Sequence, residues 1–353
     1  MADLDQPLPD AKRRRWRAAI LWSPVPISIV VAIVIGAAIM QITDNDSVEV
    51  YTEILRGAFV GPNLVYTVAW AVPLTGMTMA AALPLRGGMV NLGGDGQLVM
   101  GGLVATMVAL DLPLPGTARL IVAVVAAMLA AGLYAAIAAW GQVRWHVPML
   151  ISTLLLNYPA KGFASYMVRF PMRDPTNGNP ETHMVAPDAR LPQLIDGSLS
   201  SSLILMIVAV GLIILFDRRT VPGFELRLRG LNPRFAGYGG IHLDRQAVLT
   251  MFAGGAMAGL VGASIVLGDQ FRFMDGALVT PNYTWTGLMA ALLANGEPVG
   301  AVAAALFFSA LQIGGFGMER ATSIPRELTS VLQAIIILLL ATRAGLKRHL
   351  RLG

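Results

Sequence analysis

A single carboxylate lies at the start of an apolar segment, in the stretch GGMVNLGGDGQLVMGG at residues 87–102. Asp95 is flanked by glycines, and Asn91 and Gln97 stand on either side of it. An ionised carboxylate in hydrocarbon costs at least about 3 kcal/mol, so Asp95 is expected to face protein, water or the headgroup zone. Glycines allow irregular backbone to persist at membrane depth beside protein or a water-filled path. The stretch predicts either a polar re-entrant element along a translocation path or a solvated turn before a helix.

The other polar residues in apolar surroundings indicate little further chemistry. Asn157 lies in a later apolar segment, and Lys161 follows it by about one helical turn, so both side chains could share a face. A lysine there either extends to the membrane interface or contacts a solute. The chain has no cysteine and its four histidines share no ligand spacing, so no metal site is expected. It contains neither a serine, histidine and acid set with a nucleophile signature nor the G-x-x-x-x-G-K-[ST] phosphate loop of an ATPase.

Composition indicates an integral membrane protein. Of the 353 residues, 55% are hydrophobic and 13% are charged, and the mean hydropathy is +0.64. Several windows of about 20 residues carry no charge, which is the length that crosses a hydrocarbon core as a helix. The sequence therefore predicts an all-α integral membrane protein. The net charge of +5 is taken as a topology signal and not as a sign of nucleic-acid binding.

The apolar segments predict about ten transmembrane helices, and an even number places both termini on one side. The predicted spans are 19–41, 63–85, 88–110, 118–141, 147–168, 200–216, 247–267, 284–295, 298–316 and 327–343. The eighth is short and overlaps turn-forming residues at 275–287, so a broken or re-entrant helix is the alternative there. The small residues of 254–263 are expected to pack against neighbouring helices.

Charge distinguishes the two sides of the predicted bundle. Most Lys and Arg residues lie on the side of the termini, including those of the 217–246 loop. Residues 43–53 and 173–196 are acidic or balanced, and their Pro, Asn and Gly predict no long helix. Both termini are therefore expected in the cytoplasm. The predicted division is a cytoplasmic basic tail (1–18), a transmembrane domain (19–343) that contains the cytoplasmic 217–246 loop, and a second cytoplasmic basic tail (344–353).

The 217–246 loop contains the pattern of a very short helix. Asn232 is a good N-cap, and Pro233 suits the first helical position because its missing N–H needs no partner there. Gly239 or Gly240 would supply the left-handed stop. A helix of about two turns is marginal alone in water, so it would need a surface to dock against. The alternative is a basic loop whose positive charges only keep it on the cytoplasmic side of the membrane.

Residues 91–97 resemble the Asn-Ile-Gly-x-Glu-Gly-Gln element of permease subunits from ABC importers of the nucleoside and simple-sugar type, the family that also holds ribose and branched-chain amino acid permeases. Asp95 replaces the commoner Glu, and Leu92 replaces Ile. The stretch ISTLLLNYPA at 151–160 is similar to a second family element and contributes Asn157. The likeness covers roughly residues 60–343. The candidates for the translocation path or a re-entrant element are Asn91, Asp95, Gln97 and Asn157.

The stretch LRLRGLNPRFAGYGGI at 226–241 is similar to the coupling helix of that family, which sits in a groove of the ATP-hydrolysing subunit. Leu228 and Phe235 depart from the family pattern, in which alanine is usual. The residues that the resemblance assigns to ATPase coupling are Arg227, Arg229, Gly230, Asn232, Pro233, Ala236, Gly239 and Gly240.

The resemblance implies a permease like those of type II ABC importers. Such a subunit is not an enzyme and binds no cofactor, because ATP and Mg²⁺ are bound by a partner ATPase. A nucleoside or simple sugar would be delivered by an extracytoplasmic binding protein. The length and the N-terminal extension favour a heterodimer with a second permease subunit, in the bacterial cytoplasmic (inner) membrane.

Two other functions are alternatives at this stage. In an ion-coupled secondary transporter of small polar solutes, Asp95 or Lys161 would bind the coupling proton or ion. A membrane transferase would need an acidic metal-binding cluster at a membrane face, and the sequence has none of the D-x-x-D type. Copurification of a nucleotide-binding subunit discriminates between an ABC permease and a secondary transporter.

Overall fold

The computed structural model describes residues 24–42, 46–176, 178–195, 197–322, 324–331, 333–335 and 338. The helices in chain order are α1 Pro24–Ile42, α2 Ser47–Phe59, α3 Asn63–Arg86, α4 Gly94–Asp111, α5 Gly116–Trp145, α6 Met149–Arg169, α7 Ser202–Arg219, α8 Val221–Leu231, α9 Pro233–Tyr238, α10 Leu243–Ile265, α11 Tyr283–Leu293 and α12 Pro298–Ala321. A short 3-10 helix (Pro187–Ala189), a two-stranded antiparallel sheet (β1 Gln193–Ile195 and β2 Leu199–Ser200) and a π-helical turn (Val266–Gln270) complete the elements.

The chain forms two compact units, one of residues 59–313 and one from the described parts of 1–58 and 314–353. In the larger unit α10 packs against α3, α4 and α5, while α11 packs against α3 and α4 packs against α6. In the smaller unit the Tyr51 hydroxyl donates to the Ile33 carbonyl oxygen at 2.7 Å. Gly57 there lies so close to Gly317 that a methyl group at position 57 would lie 2.7 Å from its Cα. All residues of the predicted sites belong to the larger unit.

Small residues let the central helix α10 approach its neighbours closely. A methyl group at Gly101 would overlap the backbone of Gly259, and one at Gly262 would overlap the Leu98 carbonyl oxygen. On another face of α10, a methyl group at Gly259 would lie 2.7 Å from Cβ of Ala131. The predicted packing role of 254–263 is confirmed. Helices that meet through glycine and alanine gain dispersion contacts in an environment where lipid supplies little hydrophobic driving force.

Four helices within the described residues are long and apolar enough to cross a membrane: Asn63–Arg86, Gly116–Trp145, Leu243–Gln270 and Pro298–Ala321. The other predicted spans that the structure describes are also helical in whole or in large part, but the total of ten stays a prediction. The tails 1–18 and 344–353 and much of the tenth predicted span lie outside the described residues.

The predicted absence of a long helix in 43–53 is wrong, because α2 begins at Ser47 and runs to Phe59. Asp46 begins it by accepting a hydrogen bond at Oδ1 from the Val48 N–H, at 2.8 Å. Between 173 and 196 the described residues form no long helix, as predicted, but a 3-10 turn, strand β1 and isolated β-bridges. There, hydrogen bonds from the side chain and the backbone N–H of Thr176 lower the pKa of Asp174.

The chain is interrupted between α10 and α11, where the sequence suggested a broken helix. The π-helical turn ends at Gln270, and Phe271 and Asn282 both have left-handed backbone, with φ of 55° and 58°. α11 then has only 11 residues. Backbone hydrogen bonds tie the interruption to the preceding segment, with Thr182 N–H donating to Phe273 O and Val185 N–H to Phe271 O.

Candidate functional site

The 87–97 segment begins where α3 ends and closes at the first turn of α4. The N–H groups of Gly87 and Met89 both donate to the Pro84 carbonyl oxygen, at 3.0 and 2.9 Å, and Gly88 has a φ of +73°. Only glycine adopts such backbone at little cost, so Gly88 ends the helix. Five residues of irregular backbone follow before α4 starts at Gly94. The predicted third span, 88–110, is therefore helical only from Gly94.

Three buried amide side chains hold this irregular backbone in place. Nδ2 of Asn91 donates to Oε1 of Gln97 at 2.9 Å, and Nε2 of Gln97 donates back to Oδ1 of Asn91 at 3.1 Å. Oδ1 of Asn157 accepts from the Gly96 N–H at 2.8 Å, and its Nδ2 donates to the Leu92 carbonyl oxygen at 2.8 Å. Buried polar groups need such partners, because an unpaired one costs free energy. The predicted residues Asn91, Gln97 and Asn157 thus lie together.

The face of α6 that contacts the 87–97 segment is polar and closely packed. Oγ1 of Thr153 accepts from the Leu92 N–H at 3.1 Å. A methyl group at Gly96 would lie 3.1 Å from Cβ of Ala160, so a larger residue there would crowd α6. The predicted shared face of Asn157 and Lys161 is confirmed, since both side chains contact this segment.

Asp95 makes an ion pair with Lys161. Nζ of Lys161 lies 2.7 Å from Oδ2 of Asp95, whose side chain is 6% exposed, against 38% for the lysine. The carboxylate also lies in the first turn of α4, where the positive end of the helix dipole favours a negative charge. The sequence singled out both residues but not their pairing.

The 217–246 loop folds into two helices. Asn232 caps α9, with its Oδ1 accepting from the Phe235 N–H at 3.1 Å, and Pro233 is the first helical residue, as predicted. Of the two predicted stop residues, Gly240 is left-handed, with a φ of +84°, whereas Gly239 is not, with a φ of −76°. The other helix, α8, was not predicted, and Thr220 caps it by accepting a hydrogen bond from the Gly223 N–H.

Three of the eight predicted coupling residues, Arg227, Arg229 and Ala236, are buried or half-buried, and the other five are exposed. Nη1 of Arg229 donates to the Leu243 carbonyl oxygen at 3.0 Å, and burial lowers the pKa of this guanidinium, which nevertheless stays charged. Arg227 contacts Asp217. A methyl group at Gly230 would overlap the Arg86 carbonyl oxygen, and Ala236 is fully buried. These residues shape the loop from within.

The solvent-facing surface of α8 and α9 is largely apolar, and it was not predicted from the sequence. Leu231, Phe235 and Tyr238 are 84%, 60% and 92% exposed. Phe235 was noted only as a departure from the family pattern, so the available signal was an aromatic side chain where alanine is usual. Exposed apolar groups clustered on a short helical segment are typical of an interaction surface.

Neither unit presents a metal site in the part of the chain that the structure describes, because no three His, Cys, Asp or Glu side chains there come together in a group that could hold an ion. Several charged groups of the larger unit instead form ion pairs. Arg218 lies 3.2 Å from Glu297, and Arg272 contacts Glu181.

Sequence comparisons identify similar proteins across almost the whole chain. A family model described as branched-chain amino acid transport system, permease component, matches residues 63–341. The glucose ABC transporter permease protein of Haloferax volcanii is 31% identical, over 96% of this chain and 91% of its own length. The guanosine ABC transporter permease protein of Bacillus subtilis is 28% identical, over 91% of this chain and 93% of its own length. The nucleoside ABC transporter permease protein of Lactococcus lactis is 27% identical over 90% of each chain.

Proposed function

The chain belongs to the permease component family of branched-chain amino acid transport systems, and from this we propose that it forms the translocation path for a nucleoside or a simple sugar. It is a membrane protein and the permease subunit of an ABC importer. It is not itself an enzyme, and ATP is hydrolysed by a separate subunit with which it associates. ATP and Mg²⁺ would be bound by that subunit.

The substrate class is proposed from the relatives. Their names give glucose, guanosine and nucleosides as substrates, and these solutes share a sugar ring that carries hydroxyl groups. We place the path beside the 87–97 segment, where Asn91, Asp95, Gln97 and Asn157 lie together. Because their polar atoms are already paired with one another or with α6, these side chains would support the wall of the path and keep its backbone fixed.

The wider arrangement is a transporter in the bacterial cytoplasmic membrane with ten spans and both termini inside. The basic character of the 217–246 loop and of the two tails supports this orientation. A second, different permease subunit would complete the path, and an extracytoplasmic binding protein would deliver the solute to the outer segments. The division into tails 1–18 and 344–353 and a transmembrane domain 19–343 belongs to the same proposal.

The observation that carries the coupling role is the exposed apolar surface of Leu231, Phe235 and Tyr238 on a loop whose inner face is anchored. Burying a large apolar side chain contributes about 1.5–3 kcal/mol, so three of them can dominate a small interface. The test is pull-down of the ATPase by the detergent-solubilised chain. Leu231→Ser combined with Phe235→Ser should weaken capture at least tenfold. Capture at the wild-type level would refute the docking surface.

A control uses two exposed apolar residues of another helix. Leu133 and Ile137 of α5 are 61% and 51% exposed, one helical turn apart. Their replacement by alanine should leave ATPase capture unchanged, because α5 is outside the 217–246 loop. Loss of capture in this control would mean that the pull-down reports general destabilisation.

A further inference from the structure

A buried carboxylate joins the 217–246 loop to the end of α3. The Asp217 side chain is 4% exposed, and its oxygens accept from Nε and Nη2 of Arg86, at 3.1 and 3.2 Å. Nη1 of Arg227 lies 3.4 Å from Oδ2 of Asp217 and also donates to the Asp217 carbonyl oxygen. The two-point contact with Arg86 fixes the orientation of the guanidinium as well as its position. One carboxylate thus connects α3, α7 and α8.

Close packing between α8 and the end of α3 reinforces this connection. Gly230 leaves no room for a side chain against the Arg86 carbonyl oxygen, and its Cα would lie 3.5 Å from a methyl group at Gly88. Leu226, at 2% exposure, covers Gly87, where a methyl group would lie 2.5 Å from its Cδ1. Because protein interiors are close-packed, surfaces in such contact move together unless the contact breaks. α8 and the first residues of the 87–97 segment therefore form one packed body.

We infer that the ion cluster of Asp217, Arg86 and Arg227 transmits movement of the 217–246 loop to the 87–97 segment, and through it to α6. The inference rests on the proposed function, which supplies the ATPase that moves the loop. The route is short, since Arg86 adjoins the segment, and the segment is bound to α6 by Asn157 and by the Asp95–Lys161 pair.

Asp217 is a positioning residue in this scheme, because its side chain is buried and acts through Arg86 and Arg227. A buried ion cluster contributes little net stability, since removing charges from water opposes their attraction. The cluster instead fixes how α3, α7 and α8 are arranged relative to one another. Loss of the cluster should therefore separate ATP hydrolysis from import.

The first test is Asp217→Asn in proteoliposomes that contain the ATPase, both permease subunits and the binding protein. Radiolabelled guanosine and glucose are the probes. Import per mole of bound ATPase should fall at least tenfold, and Asp217→Glu, which restores a carboxylate, should recover a third or more of it. Arg218→Gln is the matched control. Arg218 follows Asp217 directly in the sequence, and this change removes its exposed ion pair with Glu297. Its import should stay within twofold of wild type.

The second test asks whether α8 and the 87–97 segment move as one body. The native chain has no cysteine, so Gly87→Cys with Leu226→Cys gives a unique pair. A methyl group at position 87 would lie 3.5 Å from Cγ of Leu226, which places the two positions within reach of a disulfide. The oxidised pair should import within twofold of the same variant after reduction. Import that is abolished by oxidation and restored by reduction would overturn the inference.

Failure of the inference and failure of the proposed function give different results. Wild-type import together with equal import by Asp217→Asn would overturn the inference alone. A wild-type complex that imports neither probe and whose hydrolysis does not respond to the binding protein would overturn the proposed function, and the inference with it. If Asp217→Asn loses import only in proportion to its lower protein level in the membrane, the disulfide test decides whether the inference holds. The disulfide between positions 87 and 226 does not change any residue of the ion cluster.

Discussion

Nζ of Lys161 lies 2.7 Å from Oδ2 of Asp95, and this contact joins the first turn of α4 to the middle of α6. The two residues are 66 positions apart in sequence. Each alone would be a costly charge in an apolar bundle, whereas together they are neutral. The pair explains how Asp95 can be buried at the start of an apolar helix.

Removing the Asp95 carboxylate should impair transport without preventing membrane insertion. Asp95→Leu leaves the Lys161 ammonium without its partner, which should lower the free energy of unfolding by about 1–3 kcal/mol, less than the 3–5 kcal/mol of fully buried pairs because the lysine is partly exposed. Uptake should fall at least tenfold at equal protein level. Asp95→Glu should retain most activity, since the resembling element usually has Glu there.

Two controls accompany the Asp95 variants. Asp111→Leu changes an exposed carboxylate at the other end of α4 and should leave uptake unchanged. Adding Lys161→Met to Asp95→Leu removes the unpaired charge and should recover part of the unfolding free energy in a thermal melt, though not uptake. Wild-type uptake by Asp95→Leu would show that the 87–97 segment is an ordinary turn.

Glycine at the centre of the bundle should be irreplaceable where helices touch. Gly259→Ala places a methyl group 2.7 Å from Cβ of Ala131 and against the Ala127 carbonyl oxygen, so we expect a loss of about 1–3 kcal/mol in unfolding free energy. Gly211→Ala in α7 meets nothing within 4 Å and should be neutral or slightly stabilising. Thermal unfolding in detergent measures both, and equal melting temperatures would contradict the close approach of α10 to α5.

The N-cap of α9 should contribute more to ATPase binding than the single arginine of this helix does. Asn232→Ala removes the hydrogen bond to the Phe235 N–H and costs about 1 kcal/mol of local helix stability, a large share for a helix of six residues. Exposed ion pairs contribute only about 0.2–1 kcal/mol each. Asn232→Ala with Pro233→Gly should therefore weaken ATPase pull-down and uncouple substrate-stimulated hydrolysis more than Arg234→Ala does. Wild-type behaviour of the double variant would refute this ranking.

Topology is testable with single cysteines in a chain that has none. Gly178 is exposed, and a side chain introduced there would have open space around its Cβ, with no neighbouring atom within 4 Å. Tyr238 is 92% exposed. An impermeant maleimide should label Gly178→Cys in intact cells but reach Tyr238→Cys only after permeabilisation. The reverse pattern would invert the proposed orientation.

Local features were predictable from sequence because their causes are local. Asn232, Pro233 and a glycine at the correct distance specify a capped short helix, and the structure has it. The spacing of Asn157 and Lys161 placed both on one helical face. α8 was predictable in principle from Thr220 followed by Pro222, but its basic, weakly apolar sequence concealed it.

Pairings across the chain could not be predicted, because they depend on how helices pack. Nothing near Asp217 in the sequence indicates that Arg86 binds it, 131 positions away. Residues 43–53 were predicted to form no long helix, yet Asp46 caps one there. A residue type that both caps helices and forms turns is assigned only by its surroundings.

ATP-driven import by the reconstituted complex is the decisive experiment for the function of this chain. Proteoliposomes that hold the chain, its partner permease and the ATPase should accumulate radiolabelled guanosine or glucose when the loaded binding protein is outside and ATP is inside. Uptake should require hydrolysable ATP and survive an ionophore that collapses ion gradients. Uptake that needs no ATP and stops when the ionophore is added would contradict an ABC importer and identify a gradient-driven carrier.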